Sequence, residues 1–214
     1  MKKFVDPKLE DYAIAHSSQV PDLMEDLRQY TLANTELPQM QVGPLEGMFL
    51  EVLVRATGAK NIVEVGTFTG YSALMMAAGL PEDGTLTTCE IDDGNADIAQ
   101  SFFDRSPHGH KITIRRGPAG DTLKTLEGTV DMCFIDADKQ GYINYFEILR
   151  PKMKKGGLMV IDNVLWSGRI LEDREEMDES TCAIADFNRH IQELSDVRKI
   201  MVTVRDGMTL IVVP

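Results

Sequence analysis

Asn61-Ile62-Val63-Glu64-Val65-Gly66-Thr67-Phe68-Thr69-Gly70-Tyr71-Ser72 carries a strand, a glycine turn and the start of a helix in one unbroken run. Residues 61–65 read as a short buried strand and residues 71–79 as a helix. Glycine between them permits a tight turn and a close approach of a ligand to the backbone. The spacing is Gly-x-x-x-Gly, which departs from the Gly-x-Gly-x-x-Gly of dinucleotide sites. Glu64 would repel a pyrophosphate at this turn, and it suits a ligand bearing a cation or an ammonium group. The plainer alternative is a solvated Glu64, since many glycine-containing strand-to-helix turns look like this one.

Outward from this unit the pattern repeats. Strand-like runs at 85–91, 111–115, 131–135 and 158–161 alternate with helical spacing at 95–103, 121–126, 142–149 and 178–195. Such alternation means right-handed crossovers and a parallel sheet covered on both faces. Runs at 197–204 and 208–213 flank Asp206-Gly207, a hairpin signal that turns the last strand antiparallel. The expected fold is therefore α/β, a doubly wound, mostly parallel seven-stranded sheet with a C-terminal antiparallel hairpin. Before the sheet, residues 8–34 show helical spacing divided by Pro21, with Ser17-Ser18 as turn and cap. Residues 37–44 read as loop, and 45–57 as a helix ended by Gly58. One domain over 1–214 is expected, with N-terminal helices at 1–57 and a catalytic core at 58–214.

The chain of 214 residues is large enough for one substantial core. No window approaches the ~18 uninterrupted apolar residues of a membrane span, and the first residues lack the apolar stretch of a secretory signal. Three widely spaced cysteines argue against a disulfide framework or zinc site and for a reduced, cytoplasmic protein. A net charge of −12 argues against a large nucleic-acid footprint.

Two acidic clusters stand at strand ends. Cys133-Phe134-Ile135-Asp136-Ala137-Asp138-Lys139 and Gly157-Leu158-Met159-Val160-Ile161-Asp162-Asn163 each stop on oxygen-bearing side chains. In an open parallel sheet such ends converge on one crevice. Asp136, Asp162 and Asn163 would suit a hard divalent cation, with Lys139 beside it. The bland alternatives are an ion pair of Lys139 with Asp136 or Asp138, and a cap or turn at Asp162-Asn163. At the second strand end Glu90 can accept hydrogen bonds from both hydroxyls of a ribose. An adenosine moiety with positive charge nearby points from NAD toward S-adenosylmethionine, which carries a sulfonium and an ammonium.

At these residues the chain resembles the cation-dependent class I O-methyltransferases, the group of the catechol and caffeoyl-coenzyme A enzymes. The similarity runs through Gln39-Met40-Gln41-Val42, residues 59–72, Phe134 to Lys139, Ile161 to Gly168, and Asp206-Gly207-Met208-Thr209-Leu210. It spans the chain and is closer to the small bacterial members than to the animal catechol enzymes. Ser106-Pro107-His108-Gly109-His110 departs from the usual pattern, away from the catalytic positions. The resemblance implies Asp136, Asp162 and Asn163 as metal ligands and Lys139 as catalytic base. It implies cofactor binding by Glu64, Gly66, Thr67, Phe68, Ser72, Glu90, Ile91, Pro118, Ala119, Asp136 and Asp138, under Met40 and Val42. The implied cofactors are S-adenosylmethionine and a divalent cation, Mg²⁺ with Mn²⁺ or Ca²⁺ as alternatives.

The expected substrate is a small aromatic molecule with vicinal hydroxyls, one of them chelated, deprotonated by Lys139 and methylated in line. A tRNA hydroxyuridine methyltransferase is the alternative in the same superfamily, opposed by the net charge. An NAD-dependent oxidoreductase is the alternative on the same scaffold, opposed by Glu64 and the glycine spacing. The loop at 166–177 follows the acidic cluster and is placed to cover substrate. Trp166 fits either an aromatic wall or a core anchor there. Arg169 fits either a substrate contact or a pair with nearby carboxylates. The resemblance implies a homodimer through the N-terminal helices, which could equally pack on the core.

Overall fold

The computed structural model describes residues 5–214. The reading of the first residues as lacking a secretory signal rests partly on Met1 to Phe4, outside this range. Seven strands form one sheet: β1 (Asn61–Val65), β2 (Thr85–Glu90), β3 (Ile112–Arg116), β4 (Val130–Ile135), β5 (Met153–Ile161), β6 (Arg198–Val202) and β7 (Met208–Val212). Their order is β3-β2-β1-β4-β5-β7-β6. The first five run parallel, and β7 is antiparallel to both β5 and β6. The expected doubly wound sheet with its terminal hairpin is what the chain forms.

Helices α1 (Pro7–Ala15), α2 (Asp22–Asn34), α3 (Pro44–Thr57), α4 (Tyr71–Gly79), α5 (Asp93–Phe103), α6 (Ala119–Thr125), α7 (Tyr142–Leu149) and α8 (Glu179–Glu193) complete the chain. Among the described residues no helix is long and apolar enough to cross a membrane. The central strands are buried on both faces, so alternate residues feed opposite cores. Met132 and Phe134 of β4 pack with Leu50, Met76 and Phe103 on one side. Cys133 and Ile135 pack with Tyr142, Phe146 and Phe187 on the other.

Three local expectations need correction. β5 starts at Met153 rather than 158, because Lys154-Lys155-Gly156 is exposed and polar and so hides the strand's first half. Ser17-Ser18 does not cap α2, whose N-cap is Pro21 with no side-chain hydrogen bond. The segment read as loop contains a 3₁₀ turn at Pro38–Met40, where Pro38 presets φ at the first position. Gly58 ends α3 in the left-handed conformation, as its position implies.

Winding reverses direction between β1 and β4, which sit side by side at the centre of the sheet. The carboxyl ends of these strands therefore face a common crevice. Backbone bonds lock the exits together: Asp136 N donates to Val65 O at 2.9 Å, and Asp162 N donates to Ile135 O at 3.0 Å.

Candidate active site

The glycine turn leaves β1 under tight steric constraint. Gly66 has φ +100, and a Cβ there would overlap the Asp136 carbonyl. Gly70 has φ +92, and a Cβ there would press into the Phe103 ring. Both positions thus require glycine. Glu64 lies wholly buried at the end of β1, on the face of Ile62. Its Oε2 accepts from Thr88 Oγ1 at 2.5 Å, and Thr88 Oγ1 lies 2.5 Å from Thr67 Oγ1. Burial pushes the Glu64 carboxyl up to about 8. Its Oε1 is buried with no hydrogen-bond partner among the described residues. The alternative of a solvated Glu64 is thereby removed.

Glu90, at the end of β2, is nearly buried, and burial raises its pKa. Its Oε2 accepts from Phe68 N at 2.7 Å and its Oε1 from Asp92 N at 2.9 Å. Each oxygen keeps a second lone pair for a ligand hydroxyl. Phe68 holds φ +48, which aims its N–H at Glu90. Ser72 and Val42 are buried near this turn, whereas Met40 and Ile91 are exposed. Gly117 N donates to Glu90 O at 2.8 Å, bringing Pro118 and Ala119 to the same strand ends.

The second half of the site gathers around Lys139. Its Nζ donates to Asn163 Oδ1 at 2.7 Å, to Tyr142 Oη at 2.7 Å and to Asp136 Oδ1 at 3.1 Å. Asn163 Nδ2 donates to Asp162 Oδ2 at 3.0 Å. Asp136, Asp162, Asn163 and Lys139 therefore form one connected group, as their strand-end positions imply. The alternative read for Lys139, an ion pair with Asp136, is present. Asp138 instead accepts from Tyr145 Oη at 2.5 Å. Asn163 holds φ +58, a left-handed conformation that Asn tolerates better than most residues.

Asp162 is buried, and its pKa stands well above the ordinary value, through burial first and then through neighbouring Glu46 and Asp136. Its Oδ1 has no partner among the described residues. Two carboxylates and a carboxamide oxygen, one of them orphaned in the interior, fit a hard divalent cation. No group of three or more His, Cys, Asp and Glu side chains arranged for a metal occurs among the described residues, so the carboxamide is needed to complete the set. The orphaned Glu64 Oε1 likewise fits a ligand that brings a donor or a positive charge.

Trp166 stands with its ring centroid 5.3 Å from Lys139 Nζ and its side chain part-buried against the α7–α8 core. That packing meets the core-anchor reading. Arg169 is turned away, donating to Asp178 at 2.5 Å and Glu172 at 3.1 Å, so the pairing alternative holds for it. A hollow of about 320 Å³ opens beside Lys139, lined by Ile143, Glu179, Cys182 and Asp186 among others. A larger one of about 390 Å³ lies between the α1–α2 connection and α3, lined by Ile14, Val20 and Met48 among others.

Several participants carry no signal in the sequence. Tyr142 Oη donates to Asp162 O at 3.2 Å while receiving Lys139, yet its spacing marks it only as helix core. Gln41 Nε2 donates to Thr31 Oγ1 at 2.9 Å and Thr69 Oγ1 at 3.0 Å, a buried bridge from the loop before α3 to the glycine turn. Buried Glu46 and part-buried Arg205 form an ion pair that joins α3 to the turn between β6 and β7.

A doubly wound sheet with an acidic, non-dinucleotide glycine turn beside an acidic strand-end cluster defines a class: Rossmann-like transferases that use S-adenosylmethionine. The comparisons with known proteins narrow it. A family model described as O-methyltransferase matches residues 14–213. Caffeoyl-CoA O-methyltransferase 2 of Zea mays is 36% identical over 201 residues, covering 89% of this chain and 76% of the plant protein. An O-methyltransferase from Bacillus cereus, solved with S-adenosylhomocysteine, is 30% identical with a TM-score of 0.89, covering 97% of each chain. TomG of Streptomyces achromogenes, an O-methyltransferase solved with S-adenosylmethionine, is 28% identical with a TM-score of 0.88, covering 96% of each. The chain belongs to this O-methyltransferase family, as an S-adenosylmethionine-dependent enzyme of the caffeoyl-CoA O-methyltransferase type.

Proposed function

We propose that this enzyme methylates one of two vicinal hydroxyls on a small aromatic molecule and requires a divalent cation to do so. The observation that carries this reading is the convergence of Asp136 Oδ1 and Asn163 Oδ1 on Lys139 Nζ, with Asp162 joined to them through Asn163. A cation held by Asp136, Asp162 and Asn163 would supply Lewis acidity to a phenol whose ordinary pKa is about 10. Lys139 would receive the hydroxyl proton at Nζ. Tyr142 orients the same Nζ. Glu64 would meet the positive methionine end of the methyl donor, and Glu90 its ribose, with Met40, Val42, Gly66, Thr67, Phe68, Ser72, Ile91, Pro118, Ala119 and Asp138 around it. The methyl donor would supply an electrophilic methyl group, its sulfonium leaving as the thioether S-adenosylhomocysteine when the C–S bond breaks, and these residues would contribute positioning. Trp166 offers a wall for the aromatic ring.

The deciding experiment assays vicinal diphenols and their acid and thioester derivatives with a labelled methyl donor and Mg²⁺. Methylation that disappears in chelator and returns with metal is expected. Full activity without divalent metal would sink the cation's role, and inactivity over the whole panel would sink the substrate class. We take the enzyme as cytoplasmic, a reading supported by its three free cysteines, and as a homodimer, supported by the exposed Leu9 and Tyr12 of α1 and open to light scattering.

A further inference from the structure

Arg205 stands in the turn between β6 and β7 with φ +48, although its neighbour but one is a glycine that could take such a conformation freely. Left-handed backbone at a long side chain is strained and persists only where its surroundings hold it. Here the side chain supplies the hold. Its guanidinium donates to Glu46 Oε2, to Gln41 O at 2.9 Å and to Gln39 O at 3.3 Å. The contacts to the two carbonyls fasten the loop before α3 from its outer side. Gln41 fastens the same loop from within, through its amide on Thr69 of the glycine turn.

Glu46 sits in the first turn of α3 with its side chain 1% exposed. One oxygen receives Arg205; the other, Oε1, has no partner among the described residues. The Glu46 carboxyl lies alongside that of Asp162, whose Oδ1 is equally orphaned. Negative charge carried by this carboxyl pair inside the protein needs a compensating positive charge. Arg205 is that charge, and its electrostatic neighbours include Asp162 and Asp136 as well as Glu46.

We propose that Arg205 and Glu46 are positioning residues, a latch that ties the Gln39–Gln41 backbone over the methyl-donor site to the acidic strand end at Asp162. The latch rests on the reading of this loop as part of the cofactor site. Releasing it frees the loop and leaves Glu46 against Asp162 without a counter-charge, so donor affinity falls although neither residue touches the reacting atoms.

The test is calorimetric titration of the full chain with S-adenosylhomocysteine for wild type, R205G, R205K and E46Q, beside thermal unfolding and steady-state kinetics. R205G suits the turn's φ and so separates loss of the guanidinium from loss of the turn. Expected is an increase of about tenfold in Kd for R205G and E46Q, about 1.4 kcal/mol by the standard conversion. The KM for the methyl donor should rise with kcat changed less, and R205K should recover part of the affinity. Folded R205G that binds like wild type overturns the latch, and E46Q decides on the same criterion if R205G does not fold. A wild-type chain that binds no S-adenosylhomocysteine would overturn the cofactor reading and the latch together, which distinguishes the two failures.

Discussion

Lys139 Nζ meets Asn163 Oδ1 at 2.7 Å, joining the end of β4 to the end of β5 across 24 residues of chain. Asn163 in turn donates to Asp162, so a single carboxamide orients both the lysine and a carboxylate. If Lys139 is the base, K139M should reduce kcat by about 10²–10⁴-fold, the usual contribution of general acid–base catalysis. Affinity for S-adenosylhomocysteine should stay within a factor of about two, measured by calorimetry. Comparable kcat in K139M would remove the base from the mechanism.

Asp162 carries stability and function in opposite directions. Its buried carboxyl lies against Glu46, so it must either hold a proton or repel that carboxylate, a cost that an isosteric amide with its own donor avoids. D162N should therefore unfold at a higher temperature than wild type in metal-free buffer. The same substitution should abolish Mn²⁺ binding followed by electron paramagnetic resonance. A variant that still binds Mn²⁺ with wild-type affinity would exclude Asp162 from the cation's ligands.

Glu64 makes the ligand-free fold sensitive to alkali. Its carboxyl, ordinarily near 4.5, is raised to about 8 by burial in the folded chain. Between those values the native state holds a proton that the unfolded state has released, so stability falls as pH rises. The contribution is complete below about 4.5 and is lost as pH passes through about 8. Urea unfolding of wild type at pH 5 and pH 8.5 should show this loss, and E64Q should show a smaller one. A bound cationic donor should reduce it too, by stabilising the ionised carboxylate.

Thiol chemistry offers an independent check on the packing. Cys89 and Cys133 are buried, and burial pushes the Cys89 thiol up to about 12 and raises that of Cys133 as well. Cys182 is part-exposed beside Lys139's hollow. Native protein should therefore react with one equivalent of an aromatic disulfide reagent, and unfolded protein with three. Rapid reaction of all three in the native state would contradict the two-faced core.

Local pattern carried much of this molecule. Helical and strand periods, the glycine turn and the hairpin at Asp206-Gly207 are properties of neighbouring residues, and the sheet's make-up follows from them. The strand ends at Glu64, Glu90, Asp136 and Asp162 were legible for the same reason, since a parallel sheet must align its carboxyl ends. Where polar residues interrupted a strand, as at Lys154-Lys155-Gly156, that periodicity was lost and the boundary with it.

Contacts between distant segments were not legible, because no period relates them. Arg205 and Glu46 stand 159 residues apart, and neither has a pattern that names the other. Tyr142 carries the spacing of a core residue and only the packing of α7 turns its hydroxyl to Lys139. Arg169 had two open partners until the loop's path gave it Glu172 and Asp178. The chain's local chemistry thus determined which atoms were available at the crevice. The crossing of the N-terminal layer over the sheet decided which of them meet, since burial and charge pairing are settled by tertiary contact alone.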